Sequence, residues 1–381
     1  MTNEFIQKIL RMFLGVLAFL CCLNIWGLLT REAHQYVWVL ASYILFALLL
    51  RNIWLTLFMW LTVLLYSIFK FNGGEVYLTN IFTGCIIFYI TKIAFEKKHI
   101  DWFINMVLWV LVANLLFGVI QVLGWDFIYT RSETFGLWAN SYKSPFGFMS
   151  NTSIMATFIA LCIPLVASRK GQFSTLAAIS LFPWFYFLHA SSALIAGIIG
   201  FLFVVYFKYS KKLFIIVTTF FLLLGIVFFV TKSDRLGTER FSQWKITLED
   251  CIKHPITGWG LDSFRNFSKT KSQVYGFSIG KNIDGVNTNI AMWDNPHNLA
   301  ISLLYEWGFL SLILLGGYLR QCGIWFRESD KSRNVIALAG FIICFFLTSI
   351  GHFPAFLARI MVIAVPCFAL FEVATKKGDV V

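Results

Sequence analysis

Five consecutive residues, Asp294-Asn295-Pro296-His297-Asn298, stand directly ahead of a long apolar run and carry the densest chemistry in this 381-residue chain. Asn295 suits an N-cap and Pro296 a first helical position, which predicts His297 in the first turn of a membrane helix. Amide groups and the helix dipole at that place favour an anion such as phosphate. They also disfavour imidazolium, so His297 would stay neutral and able to accept a proton. Asn298 would hold a substrate hydroxyl or orient the imidazole. The same two residues would serve equally as an interfacial cap with no chemistry at all.

A second set of residues lies upstream: Arg240, Trp244, Pro255, Gly258, Gly260 and Phe264. An arginine fork binds phosphate oxygens bidentately and keeps its proton, so Arg240 suits a diphosphate clamp. Within this stretch Phe241, Trp244, Leu248, Cys251 and Ile252 recur at helical spacing. They predict an amphipathic helix over 239–253, lying on a helix bundle or on the membrane surface and stopped by His254-Pro255. Gly258 and Gly260 then predict a tight turn. Trp244, with Trp125, Trp138 and Trp293, would stack on a ring or anchor at an interface.

The elements that must position these groups follow from composition. The chain is 59% hydrophobic and 13% charged, with 42 Phe, 14 Trp and 13 Tyr, and its mean hydropathy is +0.75. A soluble fold carries about 25% charged residues, and disordered chains lack this apolar content. An all-α polytopic membrane protein remains. Runs long enough to span lie near 12–29, 36–50, 53–69, 77–95, 102–122, 153–167, 173–187, 192–207, 213–230, 299–319, 334–350 and 356–371. About 12 transmembrane helices are therefore expected, in a single transmembrane domain over 1–381. The second, sixth and seventh runs are short, which leaves open one span fewer or a re-entrant segment.

With both termini in the cytoplasm, the inner segments hold 17 Lys and Arg and the short outer ones only Arg31, Lys70, Arg131 and Lys143. That asymmetry is the positive-inside rule. It accounts for the net charge of +12 without nucleic acid, and anionic lipid is the natural neighbour of the surplus. The amino-terminal run has no small-residue cleavage site and reads as a retained span. Of eight cysteines only Cys251 faces outward, so neither a disulfide nor a zinc site is expected, and no metal or other cofactor. Residues 231–298, between the ninth and tenth spans, form an outer loop far longer than a connection requires.

His297-Asn298, then nine residues, Gly308, two residues and Ser311 resembles the signature of the O-antigen ligase and O-antigen polymerase superfamily. Arg240, Trp244, Pro255, Gly258, Gly260 and Phe264 resemble its upstream Arg, Trp, Pro, Gly-x-Gly, Phe pattern. The likeness is specific over Arg240 to Ser311 and architectural elsewhere. Two places depart from it: Ser311 stands where the family has Gly, Thr or Tyr, and Ser191-Ser192-Ala193 lacks the arginine common at the start of the eighth span.

The resemblance implies a metal-independent, inverting membrane glycosyltransferase in the bacterial inner membrane. Its donor glycan would ride on polyprenyl (undecaprenyl) diphosphate, and its acceptor would be a lipid-linked glycan (polymerase) or the lipid A core (ligase). The active site would face the periplasm, in the loop 231–298. His297 would be the general base and Arg240 the diphosphate clamp, with Asn298, Trp244, Arg359, Lys143 and Arg131 as substrate contacts; Arg359 would equally snorkel at the interface. The missing arginine tilts the reading toward a polymerase. A cell-wall elongation-type polymerase would rely instead on a carboxylate base, here Asp234, Asp262 or Asp284. A transporter would need charge along a path through the bilayer, where Glu306 and Arg359 stand nearly alone.

The topology is testable with reporter fusions. Alkaline phosphatase inserted within residues 270–290 is expected to be active and a phosphatase fused after Val381 inactive; the opposite pattern would invert the orientation.

Overall fold

Wherever the chain is described in the computed structural model, its apolar runs are helical, and no strand occurs among the described residues. Those residues are 3–23, 75–125, 145–149, 151–171, 173–188, 190–209, 211–212, 214–216, 218–219, 238–260, 263–264, 296–351 and 358–376. The helices are α1 (Asn3–Leu23), α2 (Glu75–Ala94), α3 (Ile100–Val122), α4 (Thr152–Ala167), α5 (Phe173–Ile179), α6 (Trp184–Leu188) and α7 (Ser191–Lys208). They continue as α8 (Thr238–Cys251), α9 (Leu299–Trp307), α10 (Phe309–Glu328), α11 (Arg333–Gly351) and α12 (Ala358–Thr375). Among described residues, four stretches are long and apolar enough to cross a membrane: Lys97–Val122, Ser191–Lys208, Phe309–Glu328 and Arg333–Gly351. The protein is an all-α polytopic membrane protein. The expected second and third spans, and most of the ninth, lie outside the described residues.

Two expected spans are broken, each for a local reason. The run near 173–187 forms α5 and α6 with a turn between them. Pro183 lacks an N–H and pushes Phe182 away from helical geometry, so one helix cannot continue through it. The run near 299–319 divides into α9 and α10 at Gly308, whose φ is +72°.

The core is the three-helix packing of α4, α7 and α11. α4 is apolar all round and buried on nearly every face, as a central helix must be. Lipid is as apolar as leucine, so close backbone approach through small residues drives this packing. A Cβ on Gly340 would meet the Pro164 ring at 2.7 Å, and one on Gly197 would meet Ile163 at 2.9 Å. One on Gly200 would run into Cys344 Sγ. Phe158, Phe201 and Phe341 fill the space that remains and are fully buried.

The two ends of the bundle differ in chemistry. At one end the Asp101 carboxylate accepts from Arg169 at 2.6 Å and Arg333 at 2.8 Å, joining α3, α4 and α11. Lys208 Nζ donates to the terminal carbonyls of Ala167 at 2.8 Å and Arg169 at 2.7 Å. Arg11 donates to Ala94 O at 2.9 Å, and Lys92 pairs with Glu372 at 2.6 Å. The basic residues expected on one side of the membrane thus gather at one end. At the other end, amides rather than ions do the joining. Gln121 Oε1 accepts from the backbone of Phe146 at 3.0 Å and Gly147 at 2.9 Å. Asn114 Oδ1 accepts from Phe148 N at 2.9 Å, and Asn151 caps α4.

Gly200→Val should therefore lower stability by about 1–3 kcal/mol through overpacking. Gly316→Ala, within α10 where a Cβ would meet nothing within 4 Å, should leave it unchanged or raise it by up to about 1 kcal/mol. Thermal unfolding of the purified protein in detergent measures both.

Candidate functional site

The candidate site lies at the end of the bundle opposite Asp101, where α8 packs against α9. α10 ends at Glu328 and a short turn leads to Arg333, so Gly308 and α9 stand at the far end from the ionic cluster.

α9 begins at Leu299. Its N-cap is Asn298, in extended conformation, whose Oδ1 accepts from Ile301 N at 3.1 Å. This corrects the expectation that Asn295 caps the helix with His297 in its first turn. His297 instead precedes the cap with φ +52°, in the left-handed region that few non-glycine residues adopt. His297 therefore stands outside the helix rather than in its first turn. Of the first-turn amides expected to favour an anion beside it, that of Ile301 is already occupied by Asn298.

Pro296, buried beside His297, accepts a hydrogen bond at 2.7 Å from the indole Nε1 of Trp244. Trp244 is thus tied through its indole N–H to the backbone next to His297. Arg240 lies one turn earlier in α8. For Arg240, and for Arg359 in the first turn of α12, the backbone is what the structure describes; Arg131 and Lys143 lie outside the described residues. The structure accordingly brings His297, Asn298 and Trp244 together and sets the backbone of Arg240 in the same helix as Trp244.

The amphipathic helix read over 239–253 is α8, Thr238–Cys251. One face meets α9. Asp250, buried, receives Lys253 Nζ at 2.5 Å and stands 3.5 Å from Tyr305 Oη. Its carbonyl accepts from Trp259 Nε1 at 3.2 Å. Cys251 packs with Phe264 and Tyr305. Burial, helped by the Asp250 carboxylate, pushes its thiol up to about 11, so this cysteine is no nucleophile near neutral pH.

The feature that sequence reasoning missed is a crossing of two backbones. Where α9 ends, the carbonyls of Tyr305 and Glu306 accept from Trp259 N at 2.8 Å and Gly260 N at 3.0 Å, and Phe309 N donates to Pro255 O at 2.7 Å. Gly258 has φ +66° and Gly308 φ +72°. A Cβ on Gly258 would lie 2.5 Å from Trp307 N, and one on Gly308 would lie 2.7 Å from Gly258 N. Pro255, Gly258, Gly260 and Gly308, all present in the two motifs, are the parts of this crossing. The nine residues between Asn298 and Gly308 are α9 itself. Their spacing was visible in the sequence, but nothing local showed that the glycines meet. Glu306, expected within a continuous span, sits instead buried in the last turn of α9.

Residues 154–316 match the model of the O-antigen ligase family. That range takes in nearly all of α4, all of α5 to α9 and the start of α10, and so the crossing and the whole junction of α8 with α9. No curated protein matches the chain. Over residues 154–316, a little under half of the chain, this all-helical membrane protein is thus similar to the O-antigen ligase family.

Proposed function

We propose that the protein transfers a glycan from polyprenyl diphosphate to a hydroxyl of an acceptor sugar, with His297 as base and Arg240 as diphosphate clamp. The observation that carries this reading is the Trp244 to Pro296 hydrogen bond, which couples the helix bearing Arg240 to the residue before His297. Such a bond contributes about 0.5–1.5 kcal/mol net, and the tie at Asp250 reinforces it. In this reading 1–381 is one transmembrane domain of the bacterial inner membrane, with both termini cytoplasmic. The segment 231–298 stands in the periplasm, and the end marked by Asp101 faces the cytoplasm. The gathering of Arg11, Lys92, Arg169, Lys208 and Arg333 at that end supports this orientation.

The acceptor oxygen attacks the anomeric carbon from the face opposite the diphosphate. The new C–O bond forms as the bond to the diphosphate oxygen breaks, and its electron pair leaves with the phosphate. The hydroxyl proton passes to the imidazole of His297, and the configuration inverts. Charge grows on a group that already leaves well, so a fixed guanidinium suffices to steady it and the chemistry calls for no metal. Asn298, whose Oδ1 is taken by the cap, keeps its Nδ2 for a sugar hydroxyl. Arg359, Arg131 and Lys143 are the further cations offered to the lipid phosphates.

The acceptor in this reading is a second lipid-linked glycan, which makes the protein a polymerase. The support is the absence of an arginine in Ser191-Ser192-Ala193, where α7 begins with Ala190 as its cap and no side-chain capping hydrogen bond. Transfer to lipid A core is the second reading, favoured by the ligase character of the matched family.

His297→Ala should reduce transfer by about 10²–10⁴-fold while the protein still inserts. Arg240→Lys, which keeps the charge but loses the fork, should cost about 1.5 kcal/mol or more of transition-state stabilisation. Transfer to purified acceptor, measured with lipid-linked donor, tests both. Persistence with His297→Ala and loss with Asp234→Asn, Asp262→Asn or Asp284→Asn would establish the carboxylate-base alternative.

Deletion in the native host, read by gel display of surface polysaccharide, separates the acceptors. Single-unit chains are the outcome expected of a lost polymerase. A bare core with accumulated lipid-linked polymer would mark a ligase.

A further inference from the structure

The outward side of the α8 segment is apolar where a loop in water would be polar. Ile252 and Ile256 are 75% and 73% exposed, and Leu248, one turn before Ile252, is also exposed. Trp259 and Trp307 are half-exposed nearby, Lys245 is exposed, and the exposed Lys253 turns its Nζ to Asp250. Leaving two isoleucines bare in water forgoes the stabilisation that burying their side chains would give.

Their depth follows from the crossing. Pro255 O accepts from Phe309 N at 2.7 Å, which sets the turn containing Ile256 level with the first residue of a helix long enough to span the membrane. From Phe309 an exposed apolar row, Phe309, Leu310, Ile313 and Leu314, runs down α10. α10 meets its described neighbours through its later turns, where Tyr318 packs on Phe368 of α12 and Phe326 on Phe203 and Phe207 of α7; the row from Phe309 to Leu314 stands outside those contacts and suits lipid. Ile256 continues it upward. Tryptophans at this level and lysines just beyond it are the usual pattern of a membrane interface.

We propose that the turn after α8 is a foot resting in the leaflet at the site end of the protein. Ile252 and Ile256 lie among acyl chains, with Lys245 against lipid phosphates. α8 is then an interfacial helix gripped from two sides: Trp244 and Cys251 hold it to the protein, and Ile252 with Ile256 holds it to the bilayer.

The full-length protein, carrying p-benzoylphenylalanine at position 252, 256 or 314, is reconstituted in nanodiscs of phosphatidylethanolamine and phosphatidylglycerol, irradiated and weighed intact. Leu314, 68% exposed in mid-helix, serves as the lipid-facing reference. The expected result is a mass increase of one phospholipid at 252 and 256 to a yield within about twofold of that at 314. Lipid adducts at 314 with none at 252 and 256 would overturn the proposal. Cross-links from 252 or 256 to a second copy of the chain would also overturn it, since this surface would then be a protein interface.

Discussion

Two backbones cross at Gly258 and Gly308 with no room for a side chain on either, and the arrangement of the site end depends on that contact. A helix that breaks inside a membrane protein frees carbonyls and amides whose burial unpaired costs several kcal/mol. Here the break after Trp307 is closed by a different part of the chain: Trp259 and Gly260 supply the amides and Pro255 the carbonyl. The loop segment is therefore required by the membrane helix as much as supported by it. α9 carries the constraint over roughly 14 Å, at 1.5 Å per residue, from the crossing to Asn298 and His297. At the far end of α9 the indole of Trp244 closes the second tie. α8 and α9 are thus fastened to one another near both ends, with Asp250 and Tyr305 in the seam between them.

The two ends of the bundle are held by different physics. Ion pairs around Asp101 bind helices to one another where charge meets water and lipid phosphate. Individually such pairs contribute little, but three helices share one carboxylate here. The site end is held by backbone-directed amides of Gln121, Asn114, Asn151 and Asn298. Neutral amides fix a chain's path without adding charge of their own, and the ion pair described there, Lys253 with Asp250, lies within the α8 segment.

The sequence made the membrane helices legible because a bilayer demands long apolar runs: α3, read as 102–122, and α11, read as 334–350, differ from the observed helices by two residues or fewer at each end. The breaks were less legible. Pro183 carries its own local signal, but Gly308 lies in an apolar run that hydropathy alone reads through. Its partner Gly258 is fifty residues away, and no local rule pairs them. The cap moved for a similar reason. Asn295 and Asn298 are equally good caps, and Pro296 favours the first. The indole of Trp244 draws the carbonyl of Pro296 instead, and that interaction is tertiary. His297, Asn298 and Trp244 were identifiable as a set because their residue types are rare beside a span. Their geometry, with the histidine before the cap, was not.

The fixed length of α9 has a further meaning. One residue added between Asn298 and Gly308 would leave both end joints chemically intact yet rotate one against the other by about 100°. Helix α9 is in this sense a gauge block: the spacing between the histidine and the glycine is a distance and an angle at once.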